Sequence, residues 1–172
     1  MKAFAMVALC SLFTVAGISQ EPGVFTAVRT NDTTTLNLCI KSGLSVNYAT
    51  TSGTTLLMTA AGNAEVSSAR LLLQQGANPD KQDEMGNTAL MNAVLRGNTS
   101  MVNLLLNAGA RTNIKNNMGA TALTIAATFG KEEIVKLLLD KGANKKLKDN
   151  AGRTALDYAV DEQYQPVVAL LK

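Results

Sequence analysis

Hydrophobic residues return in short clusters along most of the chain, and polar turns separate the clusters. Ile134, Leu137 and Leu138 have the spacing that places three apolar side chains on one face of a helix. A Thr-x-Leu segment such as Thr88-Ala89-Leu90 opens one helix, and a run of three leucines marks the next. The pattern therefore predicts pairs of short amphipathic helices. The leucine runs are residues 71–73, 104–106 and 137–139.

The helix pairs recur with a fixed period. Two series of four glycines each have an interval of 33 residues, one before the first helix of each pair and one after the second. A glycine after the last apolar turn suits the left-handed position that ends many helices. A period of this length is typical of a stacked repeat protein. The first series is Gly53, Gly86, Gly119 and Gly152, and the second is Gly43, Gly76, Gly109 and Gly142.

The repeated segments carry a recognisable motif. Gly86-Asn-Thr-Ala-Leu-Met-Asn-Ala-Val and Gly119-Ala-Thr-Ala-Leu-Thr-Ile-Ala-Ala resemble the ankyrin pattern Gly-x-Thr-Pro-Leu-His-x-Ala-Ala, which continues to Leu-Leu-Leu and Gly-Ala-Asp-x-Asn. The resemblance implies an all-α ankyrin repeat solenoid of about five repeats, with β-hairpin turns between helix pairs. The implied units are an N-terminal cap at 20–49, central repeats at 50–82, 83–115 and 116–148, and a C-terminal cap at 149–172 within a domain of 20–172.

This chain departs from the family pattern at two positions of each repeat. Leucine or alanine replaces the proline, and the histidine is also replaced, so its hydrogen bonds with threonine are expected to be weakened or replaced. The departures bear on the stability of each repeat and leave the expected fold unchanged. The substitutes for histidine are Met58, Met91, Thr124 and Asp157, and those for proline are Leu56, Ala89, Ala122 and Ala155.

The first residues have the pattern of a secretory signal peptide. A positive start at Lys2 precedes an apolar run from Ala3 to Ala16, and small residues follow. Residues 1–19 are therefore predicted to be a leader, cleaved after Gly17 or Ser19. A spanning helix is the main alternative, but the run is shorter than the roughly 20 residues that one needs; a buried first helix is the other. The leader predicts an exported protein.

Two cysteines are present, and the predicted leader contains one of them. Its removal would take Cys10 away, so no internal disulfide is expected. Cys39 lies in register with the leucine runs and is predicted to be a small core residue rather than a reactive thiol.

Composition narrows the class of function. Hydrophobic residues make up 47% and aromatic residues 4%, so the core is predicted to consist of Leu, Ala, Val and Met. A net charge of +3 argues against nucleic acid as the main partner, since phosphate binding needs a concentrated basic face. The chain contains no histidine, which removes the usual general base and the commonest metal ligand. The sequence therefore predicts no enzyme, no cofactor and no metal site.

The resemblance also implies where a partner would bind. In ankyrin proteins the turn tips and the exposed side of each first helix form a concave protein-binding surface. Met85 and Met118 fall at tips, and Leu95 and Phe129 at helix ends, which predicts an apolar strip. The alternative is that each methionine folds back into local core. The predicted partner-binding residues are Ser52, Thr54, Glu84, Met85, Asn87, Leu95, Arg96, Asn117, Met118, Ala120, Thr128, Phe129, Asn150 and Arg153.

Three further patterns in the sequence are weaker: a basic cluster, two glycosylation tripeptides and an acidic turn. A basic cluster near the C-terminus is either a solvated edge or a surface that steers an acidic partner. Two tripeptides match the glycosylation sequence, at 31–33 and 98–100, and are discounted because such matches are common. Asp80, Asp83 and Glu84 are expected to cap a turn rather than bind calcium. The basic cluster is Lys141, Lys145, Lys146, Lys148 and Arg153.

The leader and the resemblance together predict a binding protein of the bacterial periplasm. Its expected partner is one exported client protein, with no nucleic acid and no membrane after removal of the leader, and the unbound chain is expected to be a monomer. The chain resembles self-protection ankyrins that restrain peptidoglycan hydrolases by covering the active-site cleft. The alternatives are an accessory protein that maintains a periplasmic oxidative-stress enzyme, a host-directed effector, and an enzyme.

Overall fold

The computed structural model describes residues 23–172, where the chain forms ten helices arranged in consecutive pairs. This part of the chain contains no strand, only one antiparallel bridge between Ala49 and Thr55, so the all-α prediction is confirmed. The predicted leader and Cys10 lie outside the described residues. The helices are α1 Gly23–Arg29, α2 Thr33–Lys41, α3 Leu56–Asn63, α4 Val66–Gln74, α5 Ala89–Arg96, α6 Thr99–Asn107, α7 Ala122–Thr128, α8 Glu132–Asp140, α9 Ala155–Asp161 and α10 Gln165–Leu171.

A threonine cap begins the first helix of each later pair. The Thr55 hydroxyl accepts the Met58 amide at 3.1 Å, and the Met58 sulfur accepts the Thr55 amide at 3.4 Å. In α9 a carboxylate oxygen of Asp157 accepts the Thr154 amide at 2.7 Å. Both substitutes for the family's histidine therefore close a reciprocal cap that satisfies backbone groups otherwise left without a partner at a helix start. Each cap lies within a single repeat, so the expectation that hydrogen bonds between repeats are weakened or replaced stays a prediction.

The first helix of each pair ends in a left-handed residue. Gly97 and Gly130 occupy this position in two repeats, whereas Asn31 adopts it in the first with φ 54°. Asn31 is compatible with the position because Asn tolerates left-handed backbone. Its side-chain oxygen also accepts the Ser68 amide at 3.0 Å and the Ser68 hydroxyl at 2.9 Å. Ser68 is fully buried, so Asn31 satisfies a buried hydroxyl across the boundary between two repeats.

The core runs along the stack as one aliphatic cluster. Leu72, Leu105 and Leu138 occupy the same register position in successive repeats, and all three are fully buried. First helices pack on the first helices of neighbouring repeats, and second helices pack likewise. None of the helices in residues 23–172 is long and apolar enough to cross a membrane.

Cys39 lies in this core, as the sequence predicted. Cys39 is disulfide-bonded in the full-length chain, whereas the expectation of no internal disulfide applies to the chain after removal of the leader. The spacing within the repeats predicts that the side chain at this position is buried. The spacing does not indicate which cysteines form a disulfide bond.

Backbone hydrogen bonds join successive turn tips. The Glu84 amide donates to the Ser52 carbonyl at 2.9 Å, and the Asn117 amide donates to the Met85 carbonyl at 3.0 Å. The Asn150 amide continues the series with the Met118 carbonyl at 3.0 Å. These bonds hold the tips in a single row, so any surface built on them keeps a fixed shape.

Candidate protein-binding surface

The tip methionines point away from the fold. The Asp83 carboxylate accepts the amides of Met85 and Asn87 at 3.0 and 2.8 Å, which fixes the backbone of that hairpin. The Asn116 side-chain oxygen accepts the amides of Met118 and Ala120 in the next hairpin, both at 3.0 Å. With the backbone held in this way, Met85 is 63% exposed and Met118 is 65% exposed. The two methionines therefore do not fold back into local core.

Two further large apolar side chains are exposed at the ends of first helices. Leu95 in the last turn of α5 is 47% exposed, and Phe129 at the C-terminal cap of α7 is 50% exposed. They belong to the same two repeats as the tip methionines. We call Met85, Met118, Leu95 and Phe129 the apolar strip.

Several residues predicted to contact a partner instead have a role within the fold. The side-chain amides of Asn117 and Asn150 donate to carbonyls of the preceding hairpin, at 2.7 and 2.8 Å. The Asn87 side-chain oxygen accepts from Asn116 at 3.0 Å. Arg96 donates to the Gly62 carbonyl, and Arg153 pairs with Asp161 while its guanidinium lies 4.0 Å from the ring centre of Tyr158. These five side chains hold neighbouring segments together, whereas the apolar strip supplies four of the seven large apolar side chains that are exposed in residues 23–172.

The other predicted contact residues are divided between exposed and partly covered positions. Ser52 and Glu84 are exposed at the tips, while Thr54, Ala120 and Thr128 are half-buried. The Thr128 hydroxyl donates to the Thr124 carbonyl at 2.9 Å within its own helix. These positions can border a bound partner, but they present little apolar surface.

The family profile described as Ankyrin repeats (3 copies) matches residues 24–116 and 91–172. The chain belongs to the ankyrin repeat family. Ankyrin repeats form protein–protein interaction modules, and the family is generally a non-enzymatic binding scaffold. No curated protein matches the sequence. The exposed apolar strip therefore lies on a fold whose general role is to bind other proteins.

Other features of this ankyrin surface are accounted for by local contacts. Asn31 and Asn98 are the asparagines of the two glycosylation tripeptides. The side-chain oxygen of Asn31 accepts a hydrogen bond from the Ser68 amide, and that of Asn98 accepts one from the Met101 amide. Arg153, a member of the predicted basic cluster, pairs with Asp161. Over residues 23–172, no group of three or more Cys, Asp or Glu side chains is arranged to hold a metal ion.

The last hairpin contains the clearest electrostatic coupling in the described repeats. The Tyr158 hydroxyl donates to a carboxylate oxygen of Asp149, whose other oxygen accepts the amides of Ala151 and Arg153, each at 2.9 Å. The bond from Tyr158 is the largest cause that lowers the pKa of Asp149, followed by the Arg153 amide. The same bond raises the pKa of Tyr158, since it stabilises the neutral phenol beside a carboxylate.

We expect Tyr158→Phe to lower stability within a defined pH window. A lowered Asp149 pKa stabilises the fold above its unfolded value near 3.8, and this contribution disappears as pH falls through the folded pKa. A raised Tyr158 pKa stabilises the fold below its unfolded value near 10.0, and this contribution disappears as pH rises through the folded pKa. The free energy of unfolding should be measured with urea across the pH range. The difference in this free energy between wild type and variant should be largest near neutral pH and should shrink at low and at high pH. A constant difference would contradict the coupling. Tyr164→Phe is the control.

Proposed function

We propose that this ankyrin protein acts as a non-enzymatic inhibitor in the bacterial periplasm. It docks one exported client through the apolar strip and covers the client's active-site cleft. The proposed client is a peptidoglycan hydrolase or endopeptidase, which gives the protein a self-protection role. The observation that carries docking is the exposure of four large apolar side chains, from 47 to 65%, in two adjacent repeats of a protein-binding fold.

The energetics favour a partner on this strip. Covering one such side chain removes on the order of 100 Å² of apolar surface from water, which contributes roughly 2 kcal/mol before the costs of association. Met and Phe are enriched at interfaces, and methionine adapts to an irregular partner surface. The hydrogen-bonded row of tips is already ordered, so little backbone entropy is lost on binding.

The proposed mechanism is steric occlusion. A rigid row of tips that covers a cleft excludes a polymeric substrate without any chemistry by the inhibitor. The absence of histidine from the sequence agrees with a binding role, since an enzyme of this size would need another general base.

The proposal that the protein is exported depends on the N-terminal sequence pattern, and this proposal can be tested directly. The full-length chain should be expressed in a bacterium, fractionated, and analysed by intact mass and N-terminal sequencing. We expect a periplasmic chain that begins after Gly17 or Ser19. A chain that retains residues 1–19 and stays in the cytosol would overturn the proposed compartment.

Docking is tested by a combined variant with Met85→Ala, Met118→Ala and Phe129→Ala. We expect it to bind the client at least about a hundredfold more weakly, since truncation of central anchors costs about 2 kcal/mol or more for each hot spot. Thermal stability should stay nearly unchanged because the three side chains are half or more exposed. Leu38→Ala is the matched control, since Leu38 is 48% exposed in the first repeat. A collapse of the melting temperature would show that the strip is structural.

The sign of regulation needs an activity assay. Peptidoglycan digestion by the captured client should fall when the wild-type chain is added at stoichiometric amounts, and should recover with the combined variant. A client whose activity rises or lasts longer would instead support the accessory role. Docking would be contradicted if the chain, at micromolar concentration, recovered no stoichiometric client from an envelope extract.

A further inference from the structure

We infer that the C-terminal end of the docking surface selects a partner segment that carries an arginine or lysine next to an apolar side chain. This inference rests on the proposed docking function and specifies the chemistry of the partner. Its basis is a corner formed by Phe129, Tyr164 and Glu162, which we call the acidic aromatic corner.

Register relates Glu162 to Phe129 in the neighbouring repeat. Phe129 is the C-terminal cap residue of α7, and Glu162 is the C-terminal cap residue of α9. Helices α7 and α9 pack against each other, and the two cap residues are one repeat period apart. Glu162 therefore occupies, in the last repeat, the position that Phe129 occupies in the repeat before it. Both residues are exposed.

Tyr164 completes the corner through its contact with Gly130. A Cβ atom added at Gly130 would lie 2.8 Å from the Tyr164 ring, so the ring lies directly against the residue that follows Phe129. The absence of a side chain at this position allows the ring to approach. Tyr164 remains 37% exposed, and Phe129 and Glu162 are exposed as well.

The nearby cations do not neutralise Glu162. Arg153 pairs with Asp161 and stacks on Tyr158. The amine of Lys131 lies beside Gly97 in the preceding repeat. Across residues 23–172, no side chain forms a hydrogen bond or an ion pair with the Glu162 carboxylate. Segment 149–162 itself contains four acidic side chains and one basic side chain, and the lysines of the basic cluster precede it at residues 141–148.

The same segment keeps its negative charge at neutral pH. Hydrogen bonds from Thr154 hold the pKa of the Asp157 carboxylate below its usual value, and the bond from Tyr158 does the same for Asp149. These carboxylates are occupied within the fold, and Asp161 is paired with Arg153. Glu162 is thus the acidic group of this end that can accept a partner's cation.

A basic side chain fits this corner in two ways. Its aliphatic stem can pack on an aromatic ring, and its charged end can interact with the ring face and pair with Glu162. The apolar strip, which ends at Phe129, then receives a neighbouring apolar side chain of the same segment. A neutral or acidic segment would cover Glu162 without supplying a partner for its charge, which is unfavourable.

The test uses the full chain and a random library of short peptides displayed on phage. Peptides that the wild type retains, and that the combined Met85, Met118 and Phe129 alanine variant does not, should combine an apolar residue with an arginine or lysine. Glu162→Gln should keep the apolar preference and lose the basic one. Asp140→Asn is the control, since it removes the same charge at the exposed end of α8.

Affinity of one selected peptide then gives the size of the effect. Glu162→Gln should weaken its binding by roughly threefold to fivefold, and replacement of the peptide's basic residue by glutamine should have little further effect on that variant. Apolar peptides without a basic preference would overturn this inference and leave docking intact. If no peptide distinguishes the wild type from the combined alanine variant, docking itself fails, and this inference fails with it.

Discussion

Gly119→Ala is expected to destabilise the protein by about 3 to 5 kcal/mol. The Cβ atom of an alanine there would lie 2.6 Å from both the amide nitrogen and the side-chain oxygen of Asn150. The overlap would force apart two hairpins and break the bond from the Asn150 amide to the Met118 carbonyl. The left-handed backbone at φ +78° adds about 1 kcal/mol for any residue with a Cβ atom.

Gly152→Ala separates these two costs. Gly152 has φ +77°, and a Cβ atom there would have nothing within 4 Å, since no later hairpin packs on it in residues 23–172. Only the conformational cost of about 1 kcal/mol is expected. Urea unfolding of both variants measures the difference. Gly53→Ala should fall between them, because its Cβ would lie 3.1 Å from the Asp83 Cα. Equal losses at Gly119 and Gly152 would show that close packing of the hairpins does not stabilise the stack.

Leu105→Ala is expected to cost about 4 kcal/mol, near the upper part of the range for buried leucines. Leu105 is fully buried in α6, which packs on α4 and on α8. A cavity there weakens two interfaces between repeats at once. Because each repeat is stabilised mainly by its neighbours, the loss should lower the stability of the whole stack rather than of one helix.

Leu171→Ala is the matched change at the end of the stack. Leu171 has the same register as Leu105 and is also buried, but α10 has one neighbouring second helix, α8. We expect a loss of about 2 kcal/mol, with faster amide hydrogen exchange confined to α9 and α10. A cost at Leu171 equal to that at Leu105, with the whole chain losing protection, would contradict a model in which stability is summed over neighbouring interfaces.

The repeat period predicted the helix pairs correctly because local signals and packing agree. Thr88 opens the predicted helix in the sequence, and the structure uses it as the N-terminal cap of α5. Exposure of Met85 and Met118 was also predicted from register. Two residues before each methionine, Asp83 and Asn116 accept its backbone amide and fix the tip.

Register was a poorer guide to side chains whose partners lie one repeat away. Asn117 and Asn150 were predicted to contact a partner, yet both donate to the preceding hairpin. Their identical spacing could have indicated a repeated internal bond. Tyr164 was missed because its ring is placed by contact with Gly130, which is distant in sequence.

The sequence by itself determined the ankyrin architecture, its aliphatic core and the position of the apolar strip, because a 33-residue period repeats the same local caps and the same buried positions. Only the tertiary structure decided which polar side chains are used within the fold, that the Tyr164 ring lies against Gly130, and that Glu162 is exposed with no side-chain partner in residues 23–172. The physical reason is that hydrogen bonds and charge pairing depend on distances between repeats, which a one-dimensional pattern does not contain.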